Sequence, residues 1–232
     1  MNKKLVSAVA VIPARGNSKR IPGKNLSEFG SKPALAHAIG IALESGVFSR
    51  VIVSTEDHDI AECASDEGAE VVNRPIELAD DYTPIMPVID HAIRTSIPEA
   101  EVVCLVMATA ILLAPERLRC AHNILLSDPS LDYVIGVRRF DTPPQQALFV
   151  DQDGFVSMES PEMFNKRSQD LPPLYYDAAQ FSFGWREAWL QGKPSFTSRT
   201  QAIQLDRWEA IDIDEPEDLA YAKLLFEARE NQ

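Results

Sequence analysis

Apolar positions in the first half of the chain gather into short runs separated by longer mixed stretches. The runs at 5–12, 50–54, 70–72 and 101–107 predict strands, and the segments 33–45, 57–67 and 84–95 between them predict helices. In 57–67, Ile60, Ala61, Ala64 and Glu67 follow a helical period with one apolar face. The run Glu-Val-Val-Cys-Leu-Val-Met at 101–107 is too continuously apolar for a sheet with one wet face, so it predicts a central strand covered on both sides. Strands alternating with helical crossovers make this an α/β chain with a mostly parallel central sheet flanked by helices.

A helix at 115–127 and a strand at 132–137 continue the rhythm, after which it changes. Residues 138–175 are rich in Pro, Gln, Asp and Ser and contain a hairpin signal around Asp151 to Gly154, which marks an excursion from the sheet. Strands are expected again at 178–184 and 201–205. A final helix is expected at 216–229, with Pro216 in its first turn and Leu219, Ala222, Lys223 and Phe226 at helical spacing. No internal repeat or low-complexity segment divides the chain, so 1–232 reads as a single domain.

Composition narrows the function classes. With 22 Lys and Arg against 35 Asp and Glu, the net charge is −13, which argues against a nucleic-acid partner. Three cysteines, Cys63, Cys104 and Cys120, lack metal-ligand spacing and suggest buried thiols in a reducing compartment. Lys3 and Lys4 precede an apolar run, but that run leads directly into Pro13 and Arg15 and reads as a strand, not a leader. No apolar run reaches membrane-spanning length. His37, His58, His91 and His122 are too dispersed for a zinc site. Trp185 and Trp189 suit one face of a helix, for packing or a subunit contact.

Segment 11–25, Val-Ile-Pro-Ala-Arg-Gly-Asn-Ser-Lys-Arg-Ile-Pro-Gly-Lys-Asn, carries the clearest chemistry. A buried strand delivers it to the carboxyl edge of the sheet, where open α/β folds place ligands. Gly16 permits a close turn, and Ser18 and backbone amides can donate. Arg15, Lys19, Arg20 and Lys24 concentrate positive charge in an acidic protein, which suits a polyphosphate. The glycine spacing matches neither Gly-x-Gly-x-x-Gly nor the P-loop, which removes the main warrant for a dinucleotide oxidoreductase or a P-loop ATPase. Late in the chain, Asp212 and Asp214 share a side if their segment is extended, and could approach a hard cation together. The same residues could equally form a cap and a solvated turn, and Glu215, Glu217 and Asp218 suit a helix start.

Residues 11–25 resemble the signature of cytidylyltransferases that activate acidic sugars, the CMP-sialic-acid and CMP-KDO synthetase superfamily. The resemblance continues through Val53-Ser54-Thr55-Glu56-Asp57, Asn73-Arg74-Pro75, Leu78-Ala79-Asp80-Asp81 and Asp212-Ile213-Asp214-Glu215-Pro216-Glu217-Asp218, and so covers nearly the whole chain. Asn165-Lys166-Arg167-Ser168-Gln169-Asp170, Tyr175-Tyr176-Asp177-Ala178-Ala179-Gln180-Phe181 and Ala108-Thr109-Ala110 look closest to the branch that acts on pseudaminic acid. That branch typically carries glycine where this chain has Ala179, and proline where it has Ile111.

The resemblance implies a Rossmann-like nucleotide-sugar transferase fold and a cytoplasmic enzyme transferring CMP from CTP to an acidic nonulosonic sugar, with Mg²⁺ and release of pyrophosphate. Legionaminic acid and N-acylneuraminate are the alternative sugars, and a noncatalytic nucleotide-binding homologue is the alternative class. It implies phosphate binding by Arg15, Gly16, Ser18, Lys19, Lys24 and Asn25, and nucleotide recognition by Arg74, Asp80 and Thr83. Arg15 and Lys24 would act in catalysis together with Asp212 and Asp214, the metal ligands. Sugar binding would fall to Thr109, Asn165, Arg167, Gln169, Tyr176, Asp177 and Gln180, with Arg167 and Gln180 weighted most. The excursion 138–175 would contribute to a homodimer and to the sugar site.

Overall fold

The computed structural model describes residues 8–231; residues 5–7 of the first expected strand lie outside them. In chain order the elements are β1 (Ala8–Pro13), β2 (Glu28–Phe29), β3 (Lys32–Pro33), α1 (Ala34–Ser45), β4 (Phe48–Thr55), α2 (His58–Asp66), β5 (Glu70–Asn73), α3 (Ile85–Ser96), β6 (Val102–Val106), α4 (Pro115–Ser127), β7 (Tyr133–Arg139), β8 (Leu148–Val150), β9 (Val156–Met158), β10 (Tyr175–Trp185), α5 (Arg186–Leu190), β11 (Thr200–Gln204) and α6 (Pro216–Glu230). The central sheet has seven strands in the order β11-β7-β10-β6-β1-β4-β5. All its pairings are parallel except those of β10, which runs antiparallel to both β6 and β7.

Alternation along the strands explains the layers. In β1, Ala8, Ala10 and Ile12 pack with Leu35 and Ile39 of α1, Ile60 of α2 and Leu118 and Leu125 of α4. Val9 and Val11 point the other way, toward Ile89 and Ile93 of α3 and Trp189 of α5. Both faces of β6 are therefore dry, as its unbroken apolar run required. Trp189 donates from Nε1 to the Val103 carbonyl at 3.1 Å. Trp185 closes β10 instead of belonging to the same helix, so the expected shared helical face is not formed. Of the cysteines only Cys104 is fully buried; Cys63 is half-buried and Cys120 exposed.

A third apolar cluster positions the functional edge. Ile21 of the basic loop, Phe29, Ile111, Leu112, Ile211, Ile213 and Phe226 of α6 pack together, tying the first loop to the late acidic segment. The excursion occupies the stretch between β7 and β10, with a hairpin of β8 and β9 where the turn signal placed it. Asp151 accepts from the Asp153 and Phe155 amides, and Gly154 takes a φ of 84°. No helix among the described residues is long and apolar enough to cross a membrane.

Candidate active site

The carboxyl ends of β1 and β6, the start of α3 and the turn after β5 surround a cavity of about 230 Å³, lined by Arg15, Lys24, Asn25, Arg74, Asp80, Asp81, Thr83 and Thr109 among others. These side chains come from segments far apart in the chain, and the parallel order β6-β1-β4-β5 brings them together. The loop after β1 is held from below. Asn25 is buried and donates to the Arg15 carbonyl at 3.0 Å, and the Gly16 amide donates to Glu56 Oε1 at 2.8 Å. A Cβ on Gly16 would lie 2.2 Å from Asp57 Oδ2, so the close approach of this loop to the start of α2 requires glycine. Asp57 itself caps α2 by accepting from the Ile60 amide.

Acidic partners hold the basic side chains. Arg15 Nη1 lies 2.6 Å from Asp81 Oδ1 and donates to the Asp80 carbonyl at 2.9 Å, and Lys19 Nζ lies 2.6 Å from Asp81 Oδ2. Asp80 accepts from the Tyr82 and Thr83 amides, which shapes the turn, and the Thr83 hydroxyl together with these two amides holds its carboxyl below the usual carboxylate range. Arg74 is buried at 5% exposure, and its guanidinium donates to the backbone carbonyl and hydroxyl of Ser54. Burial lowers its pKa, and Glu56 opposes that shift. Glu56, which the sequence offered only as part of a motif, therefore serves both the Gly16 amide and the charge of Arg74.

Lys24 points to the acidic segment, donating from Nζ to the Ile213 carbonyl at 2.6 Å and lying 3.6 Å from Asp214 Oδ1. Ile211 and Ile213 are buried in the third cluster, so Asp212 and Asp214 face the opposite side, although 211–214 is not assigned as a strand. Asp218 Oδ2 accepts from the Asp214 and Glu215 amides, forming a capping box with Glu215 that starts α6 and fixes the direction of Asp214. Arg20 pairs with Asp214 and with Glu215, at 2.9 Å in each case. Asp212 has no ion-pair or hydrogen-bond partner among the described residues. Desolvation, and then the neighbouring charge of Asp214, push its pKa up. Mutually repelling oxygen donors of this kind suit a hard divalent cation, with phosphate oxygens and water completing its shell. Among the described residues the one cluster of three potential ligand side chains is the exposed surface set His58, Asp59 and Glu62, remote in sequence from this segment.

The residues expected at a sugar site divide. Tyr176 pairs across the sheet with Arg138, its ring 4.8 Å from that of Phe140. Asp177 accepts from the Ala179 amide at 3.0 Å, and desolvation of its carboxyl raises its pKa. Burial raises the pKa of Tyr176, with smaller contributions from the charges of Asp141 and Asp212, and Asp177 adds a small upward push to the carboxyl of Asp212. Gln180 is different from expectation: it is 1% exposed and its amide nitrogen donates to the carbonyls of Ala178, Ala179 and Ile211. It fastens the acidic segment to β10 instead of presenting an amide to a ligand. Asn165, Arg167 and Gln169 sit exposed on the excursion and do not line the nucleotide-side cavity. Arg167 is taken up by Asp170 at 2.7 and 2.9 Å, because the three-residue spacing of a tight turn brings the two together. Arg138, absent from the sequence reading, reaches this side of the edge and donates to the Ala210 carbonyl at 3.3 Å.

Between Asp177 and Ser182 the register of β10 against β7 slips, giving a bulge in which Ala179 adopts a φ of 49°. This is the left-handed region that favours glycine, the residue the resembling branch carries there. The bulge turns Asp177 and Tyr176 toward the edge while Gln180 points inward.

A model of the cytidylyltransferase family matches residues 9–231. The chain is 35% identical to pseudaminic acid cytidylyltransferase of Campylobacter jejuni, over 94% of this chain and 95% of the relative. It is 30% identical to CMP-N,N'-diacetyllegionaminic acid synthase of Legionella pneumophila, over 94% and 96% of the two chains. Among solved structures, CMP:2-keto-3-deoxy-manno-octonic acid synthetase complexed with CTP shares the fold with a TM-score of 0.71 at 17% identity, covering 96% of this chain and 99% of that one. A mostly parallel sheet, a basic first loop meeting an acidic segment at its edge, and relatives aligned from end to end place this chain in the cytidylyltransferase family of nucleotidyltransferases.

Proposed function

We propose that this chain transfers CMP from CTP to the anomeric hydroxyl of an acidic nonulosonic sugar, pseudaminic acid being the best-supported substrate. The observation that carries this reading is the meeting of Lys24 with Asp214 beside the cavity formed by Arg15, Arg74 and Thr109, in a chain 35% identical to a pseudaminic acid cytidylyltransferase. In the reaction the hydroxyl oxygen attacks the α-phosphorus, the bond from that phosphorus to the bridging oxygen breaks, pyrophosphate leaves, and the hydroxyl proton passes to water. Arg15, Lys19 and Lys24 neutralise the triphosphate, and Gly16 and Ser18 let the backbone approach it. Asn25 and Glu56 hold the loop in place. Asp212 and Asp214 would hold Mg²⁺, which when bound adds positive charge at the phosphate oxygens. Thr109, Tyr176 and Asp177 stand where the sugar would enter.

A second copy of the chain belongs to this reading. The excursion exposes Phe149 at 60%, Phe155 at 73% and Phe164 at 76%, aromatic surface that a homodimer would bury. Packing of the excursion against a partner would also bring Asn165, Arg167 and Gln169 to a sugar site. A cytoplasmic setting is consistent with free thiols and with the absence of a spanning helix among the described residues.

The test is pyrophosphate release with Mg²⁺ and CTP, comparing pseudaminic, legionaminic, sialic and KDO sugars, with the product confirmed by mass. Preferential turnover of pseudaminic acid is expected. Preference for another acidic sugar would overturn the substrate while keeping the reaction, and CTP binding without turnover of any would overturn the enzyme.

A further inference from the structure

A 2-keto acid sugar carries its carboxylate on the anomeric carbon, one bond from the oxygen that attacks phosphorus. Wherever that oxygen meets the α-phosphate, the carboxylate lies within a few ångströms of it. Asp177, Asp212 and Asp214 gather carboxylates at this edge, and Asp212 has no ion-pair partner among the described residues. A substrate anion brought in beside three carboxylates needs a cation already held in place.

Three cations suggested by sequence or position are poorly suited. Lys24 is engaged with Asp214 and the Ile213 carbonyl on the phosphate side. Arg167 is exposed and doubly bonded to Asp170. Arg207 is exposed and lies over the ring of Trp208. Arg138 differs from all of these. Its side chain is 16% exposed, and its guanidinium lies 5.9 Å from the centre of the Tyr176 ring. Nη1 donates to the carbonyl of Ala210, two residues before Asp212. Its Nε is buried with no hydrogen-bond partner. Its acidic neighbour Asp141, 2.7 Å from Nη2, also lies 3.5 Å from Arg207, so one carboxylate is shared by two guanidiniums and positive charge is left over.

We infer that Arg138 recognises the carboxylate of the acidic sugar and so determines the selection of 2-keto acids over neutral sugars. The inference rests on the proposed function and assigns it a residue. Arg138 is the penultimate residue of β7, near its carboxyl end and directly across from Tyr176 in the register of β7 and β10. A substrate carboxylate would take the place of Asp141 at Nη2, leaving Asp141 to Arg207, and a small shift of the side chain that uncovers the unpartnered Nε would give it a second bond there.

The experiment compares the acid of the accepted sugar with its methyl ester in wild type, Arg138→Gln and Arg138→Lys, using the full chain with CTP and Mg²⁺. Arg138→Gln should raise the KM for the acid by roughly 10- to 100-fold, with a much smaller change in the KM for CTP. The preference for acid over ester should fall by a similar factor, and Arg138→Lys should recover part of it. Equal losses on acid and ester, or an unchanged KM for the acid, would overturn the role of Arg138 while leaving the reaction standing. A wild-type chain that turns over no 2-keto acid sugar would overturn the proposed function and this role with it.

Discussion

Arg15 and Asp81 form an ion pair at 2.6 Å, and the other oxygen of the same carboxylate holds Lys19 at 2.6 Å. One carboxylate thus bridges two cations of the basic loop, in the manner of a phosphate group. A triphosphate arriving at these cations has to displace it. Replacing Asp81 with Asn removes the competing anion while the Arg15 contact to the Asp80 carbonyl can persist. Because the pair is partly exposed, the gain is modest: CTP affinity should rise by about 2- to 5-fold, and the difference should shrink in high salt. Calorimetric titration with CTP checks this, and weaker binding by the variant would show that Asp81 orients the cations instead of competing for them.

Asp214 is fixed by the cap of α6 and faces the same side as Asp212. Asp214→Asn and Asp212→Asn should each lower turnover by at least about 100-fold, with thermal melts close to wild type because neither side chain is part of the core. Chelation of divalent cations should abolish turnover reversibly. Near-normal activity of either variant with Mg²⁺ would remove that carboxylate from the metal site.

Ala179 occupies a left-handed conformation inside the bulge of β10. A side chain there costs about 1–2 kcal/mol, partly offset by the greater chain entropy glycine loses on folding. Ala179→Gly should therefore raise stability by about 0.5–1 kcal/mol, read as an increased urea midpoint at unchanged slope. The Ala179 amide bond to Asp177 is retained in the variant, so turnover should change little.

His122 lies beside Phe183, with ring centres 5.9 Å apart, and its Nε2 is buried without a partner. Burial holds its pKa below the ordinary value of 6.5, favouring the neutral ring in the folded chain. The unfolded chain therefore takes up the proton first as pH falls. The stability associated with the neutral ring is complete above the unfolded pKa and is lost as pH falls toward the folded one. Urea midpoints should drop as pH falls below about 6.5, and less so in His122→Phe. Equal drops in both proteins would assign the acid sensitivity elsewhere.

Local periodicity made much of this protein legible from its residues alone. The strands and helices of the α/β core fall within a few residues of the expected ranges, because continuous apolar runs, helical spacing, Pro216 and the Asp151 to Gly154 turn act over a few neighbours. The shared side of Asp212 and Asp214 is equally local: an alternation with Ile211 and Ile213 suffices once the isoleucines are buried. Tertiary structure alone decided which distant groups meet. Lys24 and Asp214 converge because strand order and the cluster around Phe226 fold the first loop onto the last helix. Gln180, polar and inside a recognisable motif, is consumed by backbone carbonyls because a bulge turns it inward. Arg138 carried no motif, since the Arg138-Arg139 pair at the end of an apolar strand reads as an ordinary exposed terminus. Its place beside Tyr176 and Ala210 follows from the antiparallel register of β10 with β7, and such pairing between strands distant in sequence leaves no periodic mark along the chain.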